Sequence, residues 1–513
     1  MKGRINPLPP IADFLFVALF IMFVFFKGHG LLDDGDTGYH IRAGEFIINT
    51  LTVPKSDIFS FRTPPLPWTA HEWLSEVIMA VIHRAFGLTG IVIFFSFLIS
   101  SVYFLLFKIM RRGNGGILAA VVIAVLVISS SSIHWLARPH IFSLLLLVVW
   151  YYLLDLHQYD DRNHLYCLPA IMLLWVNLHG GFIIGIVLAG VYLAGNILSS
   201  IYFTGAEKEK SGRKARNLAL VLLSCLVASL INPYGYHILL FPLKLTSNKF
   251  IMDHINEFLS PNFHKLMAFR YLLLLMIAAF AVSKASLNII EVLLVVLFTS
   301  MALYSARHIT LFAIVIAPVL VRQADISINR MEGRFAGFLK KKSDGIASID
   351  ASSRGYLWPF AAVLMVIIFF AAGRIEYKFD GKKMPVGAVE FLKKEKLSGN
   401  MFNNDEFGDY IIYAAWPQYR VFFDGRSDMY GSERLKEYFK VTRIEQGWEE
   451  VFKKYEIDWV IYNSGSALSR FLLQRQDWKL IYADGVADIF VKNTAGNGRL
   501  MEKYKDAKPV LEK

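Results

Sequence analysis

Long apolar runs recur along this sequence, and they constrain its fold more than any other feature. About eleven of them are long enough, or nearly long enough, to cross the roughly 30 Å hydrocarbon core of a bilayer as helices. The composition agrees, because 55% of the 513 residues are hydrophobic and the mean hydropathy is +0.43, above the apolar share of an ordinary soluble protein. The sequence therefore predicts a polytopic α-helical membrane protein with about 11 transmembrane helices, at residues 11–27, 90–110, 116–133, 141–156, 165–178, 182–201, 218–231, 269–282, 287–304, 309–321 and 356–372.

The basic residues predict how these helices are oriented. A net charge of +12 would favour nucleic-acid binding in a soluble protein, but here the charge lies in short loops, as the positive-inside rule describes. We therefore expect no nucleic-acid partner. With Met1 in the cytoplasm, every markedly basic loop falls on the cytoplasmic side, namely 108–112, 207–216, Lys284 and 322–354. This pattern predicts a multi-pass protein of the cell inner membrane with a cytoplasmic N-terminus.

The first external loop, residues 28–90, is rich in groups that can do chemistry. Its apolar residues recur at helical spacing after Gly38 and again over 73–86, which predicts two helices lying on the membrane surface. Asp36 stands at the start of the first of them. An alternative for any single carboxylate in this loop is a solvated charge or a helix N-cap. The candidate site residues of the loop are Asp34, Asp36, His40, Arg42, Asp57, His71 and Glu72.

Ionisable residues also gather at the outer ends of the apolar helices. Such groups are costly at the edge of the hydrocarbon unless they face a cavity or one another. Snorkelling to the interface is the alternative, but snorkelling alone would populate both faces of the membrane. We expect these residues to line one extracytoplasmic cavity that binds substrate: Arg138, His140, His179, Asn232, His237, Arg307 and His308.

The chain changes character after the last apolar run. Residues 1–375 form the predicted transmembrane domain, and residues 376–495 alternate apolar and charged segments, which predicts a small extracytoplasmic α/β domain. Within it, 407–416 is interpreted as a strand or strand–helix junction and 419–425 as a strand that runs into a turn. For Asp424, Arg426 and Asp428 at that turn there are two interpretations, a binding site for an acceptor or sugar and a structural network within the turn. The Lys-, Gly- and Asn-rich tail 496–513 is predicted to be disordered.

This constellation suits a reaction between a lipid-linked donor and an extracytoplasmic acceptor. Arginine binds phosphate oxygens through charge-assisted hydrogen bonds, and a carboxylate can deprotonate an attacking hydroxyl. A transporter, flippase or assembly factor for lipid-linked saccharides is the competing class. It is disfavoured because the polar groups crowd one face instead of the midplane. The two cysteines lie in apolar runs and predict no metal site. Asp36, Asp57, His71 and Glu72 are residue types that can bind a divalent cation, but their spacing fits no specific metal motif, so no metal ligand is assigned.

Several motifs carry a resemblance to a known superfamily. The segments DGDTGYHIRAGEFI, VPKSDIFSF, HEWL, WVNLHGG, INPYG, ARH and VFFDGRSDMYG resemble those of GT-C glycosyltransferases, and most of all a bacterial subfamily similar to protein O-mannosyltransferases and aminoarabinose transferases. The order of one span, a long acidic external loop, many spans and an external C-terminal domain is similar too. The chain departs from these relatives in having no WWD-type motif and no Asp-Glu pair in the first loop.

The resemblance implies a GT-C-like fold and a glycosyltransferase activity. The donor would be a polyprenyl-phosphate-linked sugar and the acceptor an extracytoplasmic glycan, lipid or protein. An acidic residue of the first external loop would act as the catalytic base, and Asp36 is the match, with Asp34 second. No cofactor is expected to be required, although the site could accept a divalent cation.

Overall fold

The fold is described from a computed structural model, which covers residues 8–112, 116–283, 285–353 and 355–510. Met1, Lys284 and Arg354, which enter the orientation prediction, lie outside the described residues. The described part of the first 375 residues is mostly helical, with helices α1 (Ile11–Met22), α2 (Asp36–Thr50), α3 (Trp73–Met110), α4 (Ile117–Ser131), α5 (His140–Tyr159), α6 (Leu168–Leu178), α7 (Phe182–Tyr202), α8 (Gly205–Ala228), α9 (His237–Ser247), α10 (Lys249–His254), α11 (Ala268–Val282), α12 (Ile289–Tyr304), α13 (Ile309–Arg330), α14 (Arg334–Ser352) and α15 (Leu357–Ala371).

Six of the described helical segments are long and apolar enough to cross a membrane. They are Ile11–Leu32, Trp73–Met110, Ile117–His134, His140–Tyr159, Phe182–Tyr202 and Ala306–Arg330. Four shorter apolar helices accompany them, at Leu165–Leu178, Ala268–Val282, Ile289–Tyr304 and Leu357–Ala371. The chain is thus an integral membrane protein. The remaining predicted span, 218–231, falls on the end of α8, whose first half is charged, so the number eleven stays a prediction.

Helices α3 and α13 each carry a basic residue in their last turn. Helix α3 begins beside Glu72 and, beyond Gly87, ends near Lys108, and α13 begins beside Arg307 and ends at Arg330. The side of the membrane on which these ends lie stays a prediction.

The two helices predicted in the first loop are present. Helix α2 covers the first, and the second is the beginning of α3, which Gly87 separates from the rest by a left-handed backbone conformation of φ 62°. Helix α2 packs on this segment through Ile41 and Met79, which are both fully buried. At the crossing point, a Cβ on Gly44 would lie 1.9 Å from the carbonyl oxygen of Glu76. Only glycine allows the two backbones to approach so closely.

We therefore expect Gly44→Ala to destabilise the fold by about 1–3 kcal/mol, the usual cost of overpacking a tight contact. The thermal unfolding midpoint of the detergent-purified protein measures the effect. Gly190→Ala is the matched control, because a Cβ there would meet no described heavy atom within 4 Å outside its own helix backbone. An equal midpoint for the two variants would contradict the tight crossing.

The C-terminal part contains a four-stranded sheet flanked by helices. Strands β1 (Asn400–Asn403), β2 (Ile457–Asn463), β3 (Trp478–Ala483) and β4 (Ala487–Lys492) are ordered β1-β2-β4-β3. Strands β1 and β2 are parallel, and the other two pairs are antiparallel, with Trp459 opposite Val491. The helices are α16 (Val386–Glu395), α17 (Asp405–Ala415), α18 (Ser427–Thr442), α19 (Trp448–Lys454), α20 (Ala467–Leu473) and α21 (Gly498–Lys503).

Three local predictions for this part are wrong. Residues 407–416 are helical in α17, whose start is capped by the Asn404 side chain accepting from the Phe407 N–H at 3.2 Å. Residues 419–425 are not a strand of the sheet, because Val421 donates its N–H to Phe59 of the first loop at 3.1 Å. The tail 496–513 contains α21, where Lys503 pairs with Glu395 at 2.7 Å. The N-cap of α17 is a local contact, whereas the contacts of Val421 and Lys503 are distant in sequence.

Candidate active site

A cavity of about 370 Å³ opens where the first loop, the Arg138 loop and the C-terminal part meet. A second cavity of about 190 Å³ adjoins it, and His71 and Arg307 are among the side chains that line both cavities. The first cavity is polar, whereas the second is lined largely by leucine, isoleucine and aromatic side chains. The first cavity gathers nine of the predicted site residues, which are Asp34, Asp36, His40, His71, Glu72, Arg138, His140, His179 and Arg307.

Arg138 is the centre of the polar cavity. Its guanidinium bonds to Asp34, lies 2.5 Å from Asp36 and donates to Glu257 at 3.0 Å. Burial alone would lower the pKa of Arg138, but the three carboxylates raise it well above its ordinary value. Burial would raise the pKa of Glu257, but the neighbouring guanidiniums hold it at about 2. Arg138 is therefore a fixed positive charge.

The loop that carries Arg138 is tied directly to the start of α2. The Ala137 N–H donates to the Leu31 carbonyl at 2.8 Å, and the Thr37 hydroxyl donates to the Ala137 carbonyl at 3.1 Å. Asp34 accepts the backbone N–H of Asp36 at 2.8 Å, so it also orders the first turn. Asp34 thus has an N-terminal capping role in addition to its contact with Arg138.

Asp36 and Asp409 form a carboxyl pair across this cavity. Burial raises the pKa of both groups well above the ordinary aspartate value. Arg138 opposes that shift at Asp36, whereas the negative charges of Asp36 and Asp424 raise the pKa of Asp409 further. Two such carboxyls at hydrogen-bond distance share one proton. Because Arg138 favours the charged form of Asp36, the shared proton is favoured on Asp409.

Gly425 holds Asp409 from the other side. Its backbone N–H donates to Asp409 Oδ1 at 3.0 Å. A Cβ at this position would lie 2.2 Å from Asp36 Oδ1 and 3.0 Å from Asp409 Oδ2. Any larger residue would push the two carboxyls apart, so glycine is required at this turn for the pair to exist.

The turn that carries Gly425 is fixed by a buried ion cluster. Arg426 donates from Nη2 to Asp57 at 2.8 Å and to Asp424 at 2.7 Å. Its guanidinium carbon lies 4.5 Å from the centre of the Trp68 ring. Although burial raises the pKa of Asp57, Arg426 brings it below the ordinary value. Asp57 and Arg426 thus join the first loop to the C-terminal part.

A second acidic group lies one helical turn beyond Asp36 on α2. His40 contacts Glu76 at 3.2 Å and Glu72 at 3.6 Å, and His179 contacts Glu72 at 3.3 Å. One possible ligand atom from each of His40, Glu72 and Glu76 lies within 4.8 Å of the other two. Burial lowers the pKa of His40 and raises that of Glu72. Burial also raises the pKa of Glu76 well above its ordinary value, so the group is a neutral imidazole between two carboxyl groups whose protonated forms burial favours.

Five predicted substrate-binding residues lie outside the polar cavity. The first two of these are occupied in structural contacts: Arg42 donates to the Tyr413 carbonyl at 2.7 Å, and Asp57 belongs to the Arg426 cluster. Asn232 orders its own turn by accepting the Tyr234 N–H at 2.8 Å. These contacts satisfy the polar groups of the three side chains within the protein.

The other two residues lie on neighbouring surfaces. His237 lines a separate depression beside Tyr234. His308 lines the apolar cavity, and its Nδ1 lies 3.2 Å from the Met301 carbonyl oxygen. Helix periodicity along the sequence does not distinguish a residue at the outer end of a helix from one that faces the cavity.

Sequence reasoning missed several carboxylates of the cavity. Asp409 is the most important, and the others are Glu257, Asp405 and Glu406. The signal for Asp409 is its place in the apolar segment FGDYIIYAA, where a lone aspartate on a buried helix face is costly without a partner. Glu257 lies in a connecting segment that carries no such signal.

The fold is similar to two solved structures. The oligosaccharyltransferase from Archaeoglobus fulgidus in the apo form matches with a TM-score of 0.52 and 14% identity, over 88% of this chain and 69% of that chain. ArnT from Cupriavidus metallidurans bound to undecaprenyl phosphate matches with a TM-score of 0.50 and 13% identity, over 94% of this chain and 98% of that chain. Both are GT-C proteins, so the predicted GT-C-like fold is confirmed. No protein-family model and no curated protein matches the chain.

The protonated state of Asp409 predicts a pH dependence of stability. Because the pKa of Asp409 is raised on folding, its contribution is present at low pH and is lost as the pH rises through the raised value. Asn at this position keeps both hydrogen bonds at every pH. We therefore expect the unfolding midpoint of wild type to fall relative to that of Asp409→Asn as the pH increases.

Asp409→Ala is the reference for this experiment. It removes both hydrogen bonds, so its midpoint should be lower than that of Asp409→Asn across the whole range. Parallel pH profiles for wild type and Asp409→Asn would show that Asp409 is ionised in the folded protein.

Proposed function

We propose that the protein is a glycosyltransferase that moves a sugar from a polyprenyl-phosphate-linked donor to a hydroxyl group of an extracytoplasmic acceptor. The observation that carries the proposal is the position of Asp36, whose carboxyl group lies in a polar cavity, 2.5 Å from the Arg138 guanidinium and beside Asp409. A carboxylate in that position can accept a proton without rearrangement. General-base catalysis of this kind typically contributes about 10²- to 10⁴-fold.

The adjoining apolar cavity suits the lipid part of such a donor. It meets the polar cavity at Arg307, whose side chain is 39% exposed and lies 3.8 Å from its carboxylate partner, Glu257. Arg138, in contrast, is already bonded to three carboxylates. Arg307 is therefore better placed to bind the donor phosphate. The similarity to ArnT, whose structure contains undecaprenyl phosphate, supports a polyprenyl phosphate as the lipid partner.

The proposed reaction balances in one displacement. The acceptor oxygen forms a bond to the anomeric carbon while the bond from that carbon to the phosphate oxygen breaks. Asp36 takes the hydroxyl proton, and the polyprenyl phosphate leaves with the bonding electron pair. Arg307 stabilises the charge that develops on the leaving phosphate.

We assign the cavity to the extracytoplasmic side of the membrane. It lies at the end of α3 opposite Lys108 and at the end of α13 opposite Arg330, and basic ends of this kind favour the cytoplasm. The acceptor would then approach from outside through the opening beside the C-terminal part. Asp405, Glu406 and Asp428 line that approach.

Asp36→Asn tests the base directly. Asn keeps the shape and can still accept hydrogen bonds, but it cannot take the proton, so turnover should fall by about 10²-fold or more. Donor binding should survive, which separates a base from a positioning residue. The measurement is transfer from a purified polyprenyl-phosphate sugar by the protein in detergent.

Asp33→Asn is the matched control in the same loop. Asp33 pairs with Lys383 at 2.5 Å on the surface, outside the cavity lining, so transfer should stay near the wild-type rate. Near-normal transfer by Asp36→Asn would refute the role of Asp36. If Asp36→Asn kept near-normal transfer while Asp34→Asn abolished it, the catalytic base would be Asp34.

Arg307→Ala tests the donor site. Losing the guanidinium should weaken binding of undecaprenyl phosphate by about 10-fold or more, because a charge-assisted bond to phosphate is lost. Arg270→Ala is the control, since Arg270 contacts Tyr271 at 3.3 Å and lines neither cavity. Equal affinities for the two variants would remove Arg307 from the donor site.

A further inference from the structure

A depression of about 340 Å³ lies between the first loop and α9, beside the two cavities. Its wall on the first loop carries Lys55, and its wall on α9 carries Lys244. Both lysines are exposed, and neither forms an ion pair within the described part of the chain. No carboxylate lines the depression, as far as the described residues show. The depression is therefore a concave site with two unpaired positive charges.

Backbone hydrogen bonds fix the wall that carries Lys55. The Tyr234 hydroxyl, from the turn before α9, donates to the Pro54 carbonyl at 2.9 Å and accepts the Ala70 N–H at 2.8 Å. The Lys55 carbonyl accepts the Trp68 N–H at 3.0 Å. The first loop is thus tied to the turn before α9, so the two walls keep their places.

One stripe of side chains on α9 lines the depression. It consists of His237, Phe241 and Lys244, whose spacing of four and three residues places them on one face of the helix. Phe241 also lines both cavities, and its ring centre lies 4.4 Å from that of His71. Phe241 is therefore a wall that the depression shares with the cavities.

The adjacent face of α9 is apolar and exposed. Its side chains are those of Tyr236, Leu240 and Leu243, which are 60%, 39% and 61% exposed. Each of them precedes a residue of the first stripe by one position, so the apolar face runs along the helix beside the lysine. Exposed apolar surface of this kind marks a site that contacts a partner or a membrane.

This apolar face follows a similar surface on α8. The second half of α8 and the turn after it expose five apolar side chains at helical spacing, namely Leu220, Leu223, Val227, Leu230 and Ile231. Helix α8 packs along α7, which is one of the segments long and apolar enough to cross a membrane. In an integral membrane protein, such a surface beside a spanning helix faces lipid. The exposed face of α9 begins directly after the turn in which that surface ends.

We propose that the depression binds the phosphate of an anionic phospholipid, whose acyl chains lie along the apolar face of α9. Lysine binds phosphate as a point charge, and basic residues at a membrane surface attract anionic lipids. Two unpaired ammoniums next to an apolar face complement a molecule that joins a phosphate to acyl chains. The lipid belongs to the surrounding leaflet and is not the sugar donor, because Arg307 does not line the depression. It holds α9 against the first loop.

The inference does not depend on sugar transfer. Asp36, Arg138 and Arg307 are not part of the depression, so a protein without transferase activity could still bind the lipid. Arg307→Ala should keep the phospholipid while binding undecaprenyl phosphate more weakly. Lys55→Gln/Lys244→Gln should do the opposite. The two proposals therefore fail separately.

Native mass spectrometry of the full-length protein in detergent tests the site. The protein is titrated with phosphatidylglycerol, which is anionic, or with phosphatidylcholine, which has no net charge. Wild type should retain at least one phosphatidylglycerol per chain that an equal concentration of phosphatidylcholine does not replace. Lys55→Gln/Lys244→Gln should retain one phosphatidylglycerol fewer per chain, because two contacts to a charged phosphate are lost.

Lys249→Gln/Lys265→Gln is the matched control. It removes the same charge from two exposed lysines that line neither the cavities nor the depression, so it should retain the wild-type number of lipids.

The acyl chains are tested by Leu240→Gln/Leu243→Gln, which should also lose one phosphatidylglycerol per chain because it makes the apolar face polar. Leu266→Gln is the control for this change. Leu266 is 82% exposed but lies outside α9, so the variant should retain the lipid.

Three results would overturn the proposal. One is an equal number of retained phosphatidylglycerol molecules in wild type and Lys55→Gln/Lys244→Gln. Another is the same loss in Lys249→Gln/Lys265→Gln, which would reduce the effect to the net charge of the protein. The last is displacement of the lipid by an equal concentration of glycerol 1-phosphate, which would assign the depression to a free phosphate.

Discussion

The buried charge of Arg138 is the interaction on which the site depends. A guanidinium away from water is tolerated only when its partners balance it and satisfy its hydrogen bonds, and here Asp34, Asp36 and Glu257 do so. Three carboxylates on one guanidinium leave an excess of negative charge. Arg307 offsets part of it at Glu257, and the proton on Asp409 keeps a further carboxyl neutral beside Asp36.

These partners come from segments that are far apart in the sequence. The first loop supplies Asp36, the loop before α5 supplies Arg138, and α17 supplies Asp409. Their alignment depends on the Arg426 cluster, because it fixes the turn whose Gly425 N–H holds Asp409. The C-terminal part is therefore a wall of the cavity and not an appended module. A change at the Arg426 cluster would reach Asp36 through the backbone of that turn.

The sequence predicted one half of this site and not the other. Asp36, His40 and Arg138 are identifiable because an ionisable group at the end of an apolar run requires a physical reason. Asp57 and Arg42 have the same signature, but their partners, Arg426 and the Tyr413 carbonyl, lie more than 360 positions away. Asp409 was missed because its helix was interpreted as a strand, and the strand assigned to 419–425 fails because Val421 pairs with the first loop. Local patterns predict which groups are costly, whereas only the tertiary structure shows which partner offsets each cost.

The charges divide the cavity into two regions. Arg307 lies on the side of the apolar cavity and is more exposed than Arg138. On the side of the C-terminal part, the walls of the polar cavity carry Asp405, Glu406 and Asp428. A phosphate is attracted to the first region and repelled from the second. Asp36 lies between them, so in the proposed reaction a donor with its phosphate at Arg307 would present its anomeric carbon towards the carboxylate. The same acidic walls would keep the departing phosphate on the lipid side, because moving it towards the acceptor would bring like charges together.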